Sequence, residues 1–280
     1  MSTIKLLESA PTKFQKVGDI RFAYRELGAT SGVPVIFLNH LAAVLDNWDP
    51  RVVDGIAAKR RVIIFDNRGI GASGGSTPDT IEAMARDAIA FIWALGFKQV
   101  DLLGFSLGGM ISQVIVELEP QLVRKMILAG TGPAGGVGID KVTQVTIVDM
   151  LKGTLTFKDP KQYLFFTTTA NGRQEAGKFI ERLKERTEDR DKPISVVAFR
   201  AQLKAIHAWG VQQPSDLSTI QQPVFVANGD HDRMVPTLNT VDLAKRLPNS
   251  ELKIYPDSGH GGIFQFHDEF VPQALEFLTR

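Results

Sequence analysis

Along most of the chain, short continuous apolar runs alternate with stretches in which apolar residues recur every three or four positions. The first run, residues 33–38 (VPVIFL), is rich in β-branched side chains and bounded by Gly32 and Asn39. Such a run predicts a strand buried on both faces. Residues 61–65, 100–103, 125–128, 224–227 and 252–255 have the same character. Between them, residues 80–95 place Ile81, Met84, Ala85, Ala88, Ile89, Ile92 and Trp93 on one helical stripe. Asp79 or Thr80 can cap the first turn, and Gly96 ends the last. A second helix is predicted over 107–118, stopping before Pro120, and a closing helix over 270–278. Strands alternating with helices specify an α/β protein whose central sheet is mostly parallel and flanked by helices. Residues 14–24, interrupted by Gly18-Asp19, predict an antiparallel hairpin at the sheet edge.

The alternation stops between 131 and 222. Glycines cluster at 130, 132, 135, 136 and 138, and helical patterns follow over 141–151, 174–187 and 194–208, with no buried strand among them. The expected organisation is an α/β core from 1–130 and 223–280, with 131–222 inserted as a helical cap, or lid. Such a cap belongs over the carboxyl ends of the strands, where open α/β sheets bind ligands. No internal repeat is apparent.

Composition narrows the partners. Lys plus Arg number 32 and Asp plus Glu 31, for a net charge of +1, with no block of either sign. That gives no electrostatic case for nucleic acid or an anionic membrane and favours a small molecule. The absence of cysteine removes disulfides, thiolate catalysis and zinc–sulfur sites. Residues 1–15 lack the apolar core of a signal peptide, and no run approaches the ~20 residues that span a bilayer. The expectation is a cytoplasmic protein. Its oligomeric state is left open, a homo-oligomer included.

The chemistry enters with Gly104-Phe105-Ser106-Leu107-Gly108-Gly109, which leaves a buried strand and opens a helix. A serine on so sharp a turn projects above the sheet, and the small flanking residues let helix and strand approach. The N–H of Leu107, at the new helix terminus, can donate to an oxyanion. A serine nucleophile needs a base, and five histidines allow elimination. His207 lies in the insertion, His267 beside the last helix, and His231 between Asp230 and Asp232 on the loop expected to carry an acid. His40 follows the 33–38 strand. His260 remains, in the Ser258–Gly262 loop after the last strand, giving the chain order serine, acid, histidine. For the acid, the loop after the 224–227 strand offers Asp230 and Asp232, and strand position does not choose between them.

Taken in order, Asn39-His40-Leu41, the segment from Asp66 to Ser73 (DNRGIGAS), residues 104–109, 229–236 and 258–262 resemble the α/β-hydrolase superfamily across nearly the whole chain. The 131–222 segment is least covered. The resemblance implies the α/β-hydrolase fold. It also implies that the acid is the aspartate preceding x-x-Val-Pro, which here is Asp232. Many members carry His-Gly after this strand, and the residue that follows supplies an oxyanion amide. Here Asn39-His40 stands in that place, so the second donor would be the N–H of Leu41. Asn-x-Leu with Trp48 following is similar to enol-lactone hydrolases and to perhydrolase-like and esterase relatives.

The chemistry so implied is hydrolysis of a carboxylic ester or lactone through an acyl-enzyme on Ser106, with Ser106, His260 and Asp232 as triad and no metal or organic cofactor. Leu41, Trp48, Phe105 and Met234, with Phe165, Phe166 or Trp209 from the insertion, are the expected pocket walls. They would favour a small to medium, largely apolar substrate. An acidic substrate would call on Arg68 or Arg233. The rival readings are a perhydrolase or carbon–carbon bond hydrolase with the same triad, and a ligand receptor that does no chemistry.

Overall fold

A computed structural model describes residues 6–280. Met1–Lys5, the start of the stretch read above for a signal peptide, lie outside the described residues. The strands are β1 (Lys13–Val17), β2 (Ile20–Gly28), β3 (Val35–Leu38), β4 (Arg61–Phe65), β5 (Val100–Phe105), β6 (Val123–Ala129), β7 (Val224–Gly229) and β8 (Ser250–Tyr255). They form one sheet in the order β1-β2-β4-β3-β5-β6-β7-β8. β1, β2 and β4 pair antiparallel, and every pairing from β4 through β8 is parallel. Gly18, at φ 57°, takes the first position of the two-residue turn of the β1–β2 hairpin, where a side chain would be strained.

The continuous apolar runs are buried end to end in β3, β5 and β7, as both-face coverage by helices requires. The helices are α1 (Pro50–Ala57), α2 (Ile81–Ala94), α3 (Leu107–Leu118), α4 (Val142–Thr156), α5 (Lys161–Phe165), α6 (Ala170–Arg182), α7 (Val196–Val211), α8 (Leu238–Arg246), α9 (Gly262–Gln265) and α10 (His267–Thr279). Thr80 caps α2 by accepting from the N–H of Ala83, and Gly96 follows its end at φ 84°. β3 begins two residues later than the apolar run of residues 33–38, at Val35. Pro34, which has no N–H for a ladder, stands just outside it.

The insertion between β6 and β7 holds α4 to α7. The three expected helices are there with shifted ends, and the short α5 is an addition to them. Two buried arginines fasten this segment to the core. Arg182 at the end of α6 meets both oxygens of Asp49 at 2.6–3.0 Å and the carbonyl of Phe264 at 3.1 Å. Arg186 donates from one nitrogen to the carbonyls of Leu7, Glu8 and Ala10 at 2.9–3.0 Å. Each desolvated guanidinium thus has the partners that burial demands. Among the described residues, no helix is long and apolar enough to cross a membrane.

Candidate active site

Ser106 sits between β5 and α3 at φ 56°, ψ −116°, a backbone conformation that side chains rarely adopt. Several contacts hold it there. Its N–H donates to Ala129 O at 2.8 Å, and its carbonyl accepts from Gly109 N at 2.9 Å and from the Thr131 hydroxyl at 2.8 Å. A Cβ on Gly104 would lie 2.4 Å from Gly108 O, and one on Gly108 only 1.9 Å from Leu38 O. Helix and strand can approach this closely only without side chains.

The loop after β7 turns Asp232 toward the loop after β8. The Nδ1–H of His260 donates to Asp232 Oδ2 at 2.7 Å, with both side chains almost wholly buried. The other carboxylate oxygen accepts from the N–H groups of Met234 and Val235 at 2.8 and 3.0 Å. Asn228 Nδ2 adds a bond to Oδ2 at 3.1 Å. Four donors therefore fix the carboxylate and, through it, the imidazole tautomer. The other His260 nitrogen, Nε2, is buried and has no protein partner.

Asp230 does different work. Its Oδ1 accepts from the N–H of Ser258 at 3.0 Å and pairs with the exposed His231 at 2.5 Å, so it ties the two loops together. Of the remaining histidines, His207 bonds the carbonyl of Asp140 and His267 pairs with Asp268, both away from this site.

Asn39 bridges Phe65 O at 3.1 Å and Trp48 Nε1 at 2.5 Å, and so shapes the turn after β3. In that turn His40 Nδ1–H donates to Leu41 O at 2.8 Å. The N–H of Ala42, which has φ 63°, donates to Gln202 Oε1 of α7 at 2.8 Å. The N–H groups of Leu41 and Leu107 donate to no main-chain acceptor among the described residues. Burial first, and then the Lys161 ammonium, push the His40 pKa down to about 3, so the ring stays neutral.

Ser106, His260, His40, Leu41 and Met234 line one cavity of about 260 Å³. This is somewhat below the roughly 300–1,000 Å³ of drug-sized sites. The insertion supplies much of the remaining lining: Thr146 and Met150 of α4, Leu164 and Phe165 of α5, and Phe199 of α7.

Four expected wall residues are elsewhere. Trp48 and Phe105 are core side chains. Trp48 packs on Phe37 and Phe264, while the Phe105 ring lies behind the rings of His40 and His260. Trp209 is also buried away from the cavity, its Nε1 donating to Gly132 O at 3.2 Å. Phe166 packs on Phe179 instead. Arg68 and Arg233 are paired with Asp87 and Asp149 and do not line the cavity. The cation on its wall is Lys161, 3.4 Å from Asp159.

Thr131, Asn228, Thr146 and Gln202 escaped the sequence reading. Asn228 alone left a trace, as a polar residue at the end of an otherwise apolar strand. The other three are ordinary helix or loop positions until the chain is folded.

Residues 33–266 match the family described as alpha/beta hydrolase fold. A solved structure, an alpha/beta hydrolase fold protein from Chitinophaga pinensis, is 41% identical. It superposes with a TM-score of 0.94, covering 98% of this chain and 99% of that one. The enol-lactonase from Burkholderia xenovorans LB400 superposes at 0.78 with 19% identity, covering 96% of this chain and all of the other. The poly(3-hydroxyalkanoate) depolymerase of Ectopseudomonas oleovorans is 28% identical over 266 residues, 93% of this chain and 89% of that protein.

Proposed function

The chain belongs to the alpha/beta hydrolase fold family, and from that premise we propose that it is a serine hydrolase of small, largely apolar carboxylic esters or lactones. The observation that carries this reading is the buried Asp232–His260 hydrogen bond, with His260 and Ser106 lining the same cavity. With Nδ1–H committed to Asp232, the free Nε2 is the basic nitrogen. It takes the Ser106 proton as Oγ attacks the substrate carbonyl. The N–H groups of Leu41 and Leu107 hold the oxyanion, each worth roughly 2.7–4 kcal/mol of transition-state stabilisation by analogy with other hydrolases. The imidazolium then protonates the leaving alkoxide, and water repeats the sequence on the acyl-enzyme. The residues present suffice for this chemistry without a cofactor.

The 131–222 segment acts in this reading as a cap. It closes the cavity over Ser106 and supplies apolar surface for the acyl or ring portion. Met150, Leu164 and Phe199 support a substrate with little charge, and the enol-lactonase named above is, by its name, an enzyme of lactones.

The test is a p-nitrophenyl ester panel combined with a fluorophosphonate probe. Turnover and a covalent adduct located on Ser106 by mass spectrometry are the expected results. Ser106→Ala should lose both while melting like the wild type. A Ser106→Ala protein that still hydrolyses the esters would overturn the proposal.

A further inference from the structure

One buried polar atom in the cavity has no use in the triad chemistry. His40 is 4% exposed and lines the same cavity as Ser106 and His260. Its Nδ1 lies 2.8 Å from Leu41 O. A carbonyl oxygen only accepts, so Nδ1 carries the ring proton and Nε2 is left as a lone-pair acceptor.

No protein group donates to that Nε2. The hydroxyl of Thr146, another lining residue, is also unpartnered, and the Lys161 ammonium leans on Asp159. The ring is held in place by edge contacts with Phe105 and Phe165, at centroid distances of 5.4 and 5.2 Å. The His260 ring touches the same two phenyl rings, at 5.0 and 5.6 Å. The two imidazoles therefore pack on the same pair of phenyl rings and line one cavity, which places His40 close to the bond being broken. A buried acceptor left unmatched by the substrate costs binding; one met by a donor does not.

We propose that His40 Nε2 is a specificity-determining acceptor that selects substrates carrying an O–H or N–H a few bonds from the scissile carbonyl. The proposal rests on the hydrolase reading and names the substrate class of that same site. The low His40 pKa fits this role, because the ring stays an acceptor through the working pH range. A cationic ring would have donated instead.

The test compares kcat/KM for near-isosteric pairs: p-nitrophenyl butyrate against its 2-hydroxy and 3-hydroxy analogues, and propyl butyrate against 2-hydroxyethyl butyrate. Each ratio is corrected for the rate in hydroxide alone. Wild type should prefer at least one hydroxylated ester by roughly tenfold or more. His40→Phe keeps the ring packing but loses the Leu41 brace as well as the acceptor. It should therefore slow every ester while collapsing the preference to less than about twofold. A wild-type protein that turns over butyrate with no preference above about twofold refutes the proposal and leaves the hydrolase reading intact. A preference that survives His40→Phe unchanged also refutes it. Should the variant fail to fold, the wild-type ratios decide alone. Absence of any Ser106-dependent turnover refutes the hydrolase reading instead.

Discussion

Gly229→Ala tests whether the loops bearing acid and base are held at their present spacing. Gly229 ends β7 opposite Tyr255, and a Cβ there would lie 2.2 Å from both Ser258 O and Gly259 O. Those oxygens belong to backbone, so no side-chain rotation relieves the clash. Restoring ordinary contact requires the Ser258–Gly259 segment to retreat by about 1 Å, and close packing leaves it little room. His260 follows directly, and its bond to Asp232 is only 2.7 Å long. A misplacement of that size costs on the order of 100-fold in rate, and overpacking costs about 1–3 kcal/mol of stability. Steady-state kinetics on a p-nitrophenyl ester should show the loss in kcat, and urea unfolding should show the lower midpoint. Gly177→Ala is the matched control. It lies inside α6 with no atom within 4 Å of the added methyl. It should leave kcat alone and gain up to about 1 kcal/mol from helix propensity. Gly229→Ala with kcat within about threefold of wild type and an unmoved midpoint would refute the reasoning.

Asp232→Asn should preserve the fold and cut kcat by roughly ten-thousand-fold, because an amide at that position favours the wrong imidazole tautomer; a loss below tenfold in stopped-flow assays would count against the assigned acid. Arg182→Met leaves the Asp49 carboxylate buried without its partner and should cost about 3–5 kcal/mol in denaturant unfolding, with a loss below about 1 kcal/mol contradicting the anchoring role. Acid stability gives a third check. With its pKa near 3 when folded and 6.5 when unfolded, His40 binds fewer protons in the native state between those values. Wild type should therefore lose stability relative to His40→Phe as pH falls below 6.5, by about 1.4 kcal/mol per pH unit, and not above it. Parallel stability curves for the two proteins across pH 4–8 would show the histidine to be solvated.

The sheet was legible because burial on both faces leaves little freedom in composition. A run such as that from Val35 to Leu38 has few other fates. The turn at Ser106 was legible because its small residues have few other fates beside a strand-to-helix turn: Gly104 is required by Gly108 and Ser112 on the next helix, and Gly108 by the close approach of Leu38 from β3. Choosing Asp232 over Asp230 needed the family pattern, because both are short acids on one loop and only folding shows which faces His260. The cavity wall was the least legible part. Trp48, Phe105 and Trp209 have the same apolar character as Leu164, Phe165 and Phe199, and periodicity does not say whether a face meets core or empty space. Gln202 left no signal, because its partner, the N–H of Ala42, is 160 residues away and exposed to it only by a left-handed backbone kink.

The clasp of Arg186 on the carbonyls of Leu7, Glu8 and Ala10 has a consequence for anyone trimming or tagging this protein. Residues 7–10 join roof to floor: the N–H of Leu7 is bound to Asp54 of α1 at 2.7 Å, while the carbonyls of Leu7, Glu8 and Ala10 strap the α6 end of the insertion. Shortening the chain past Leu7 would leave the parallel strands their own ladders while unbuckling one side of the roof above the serine.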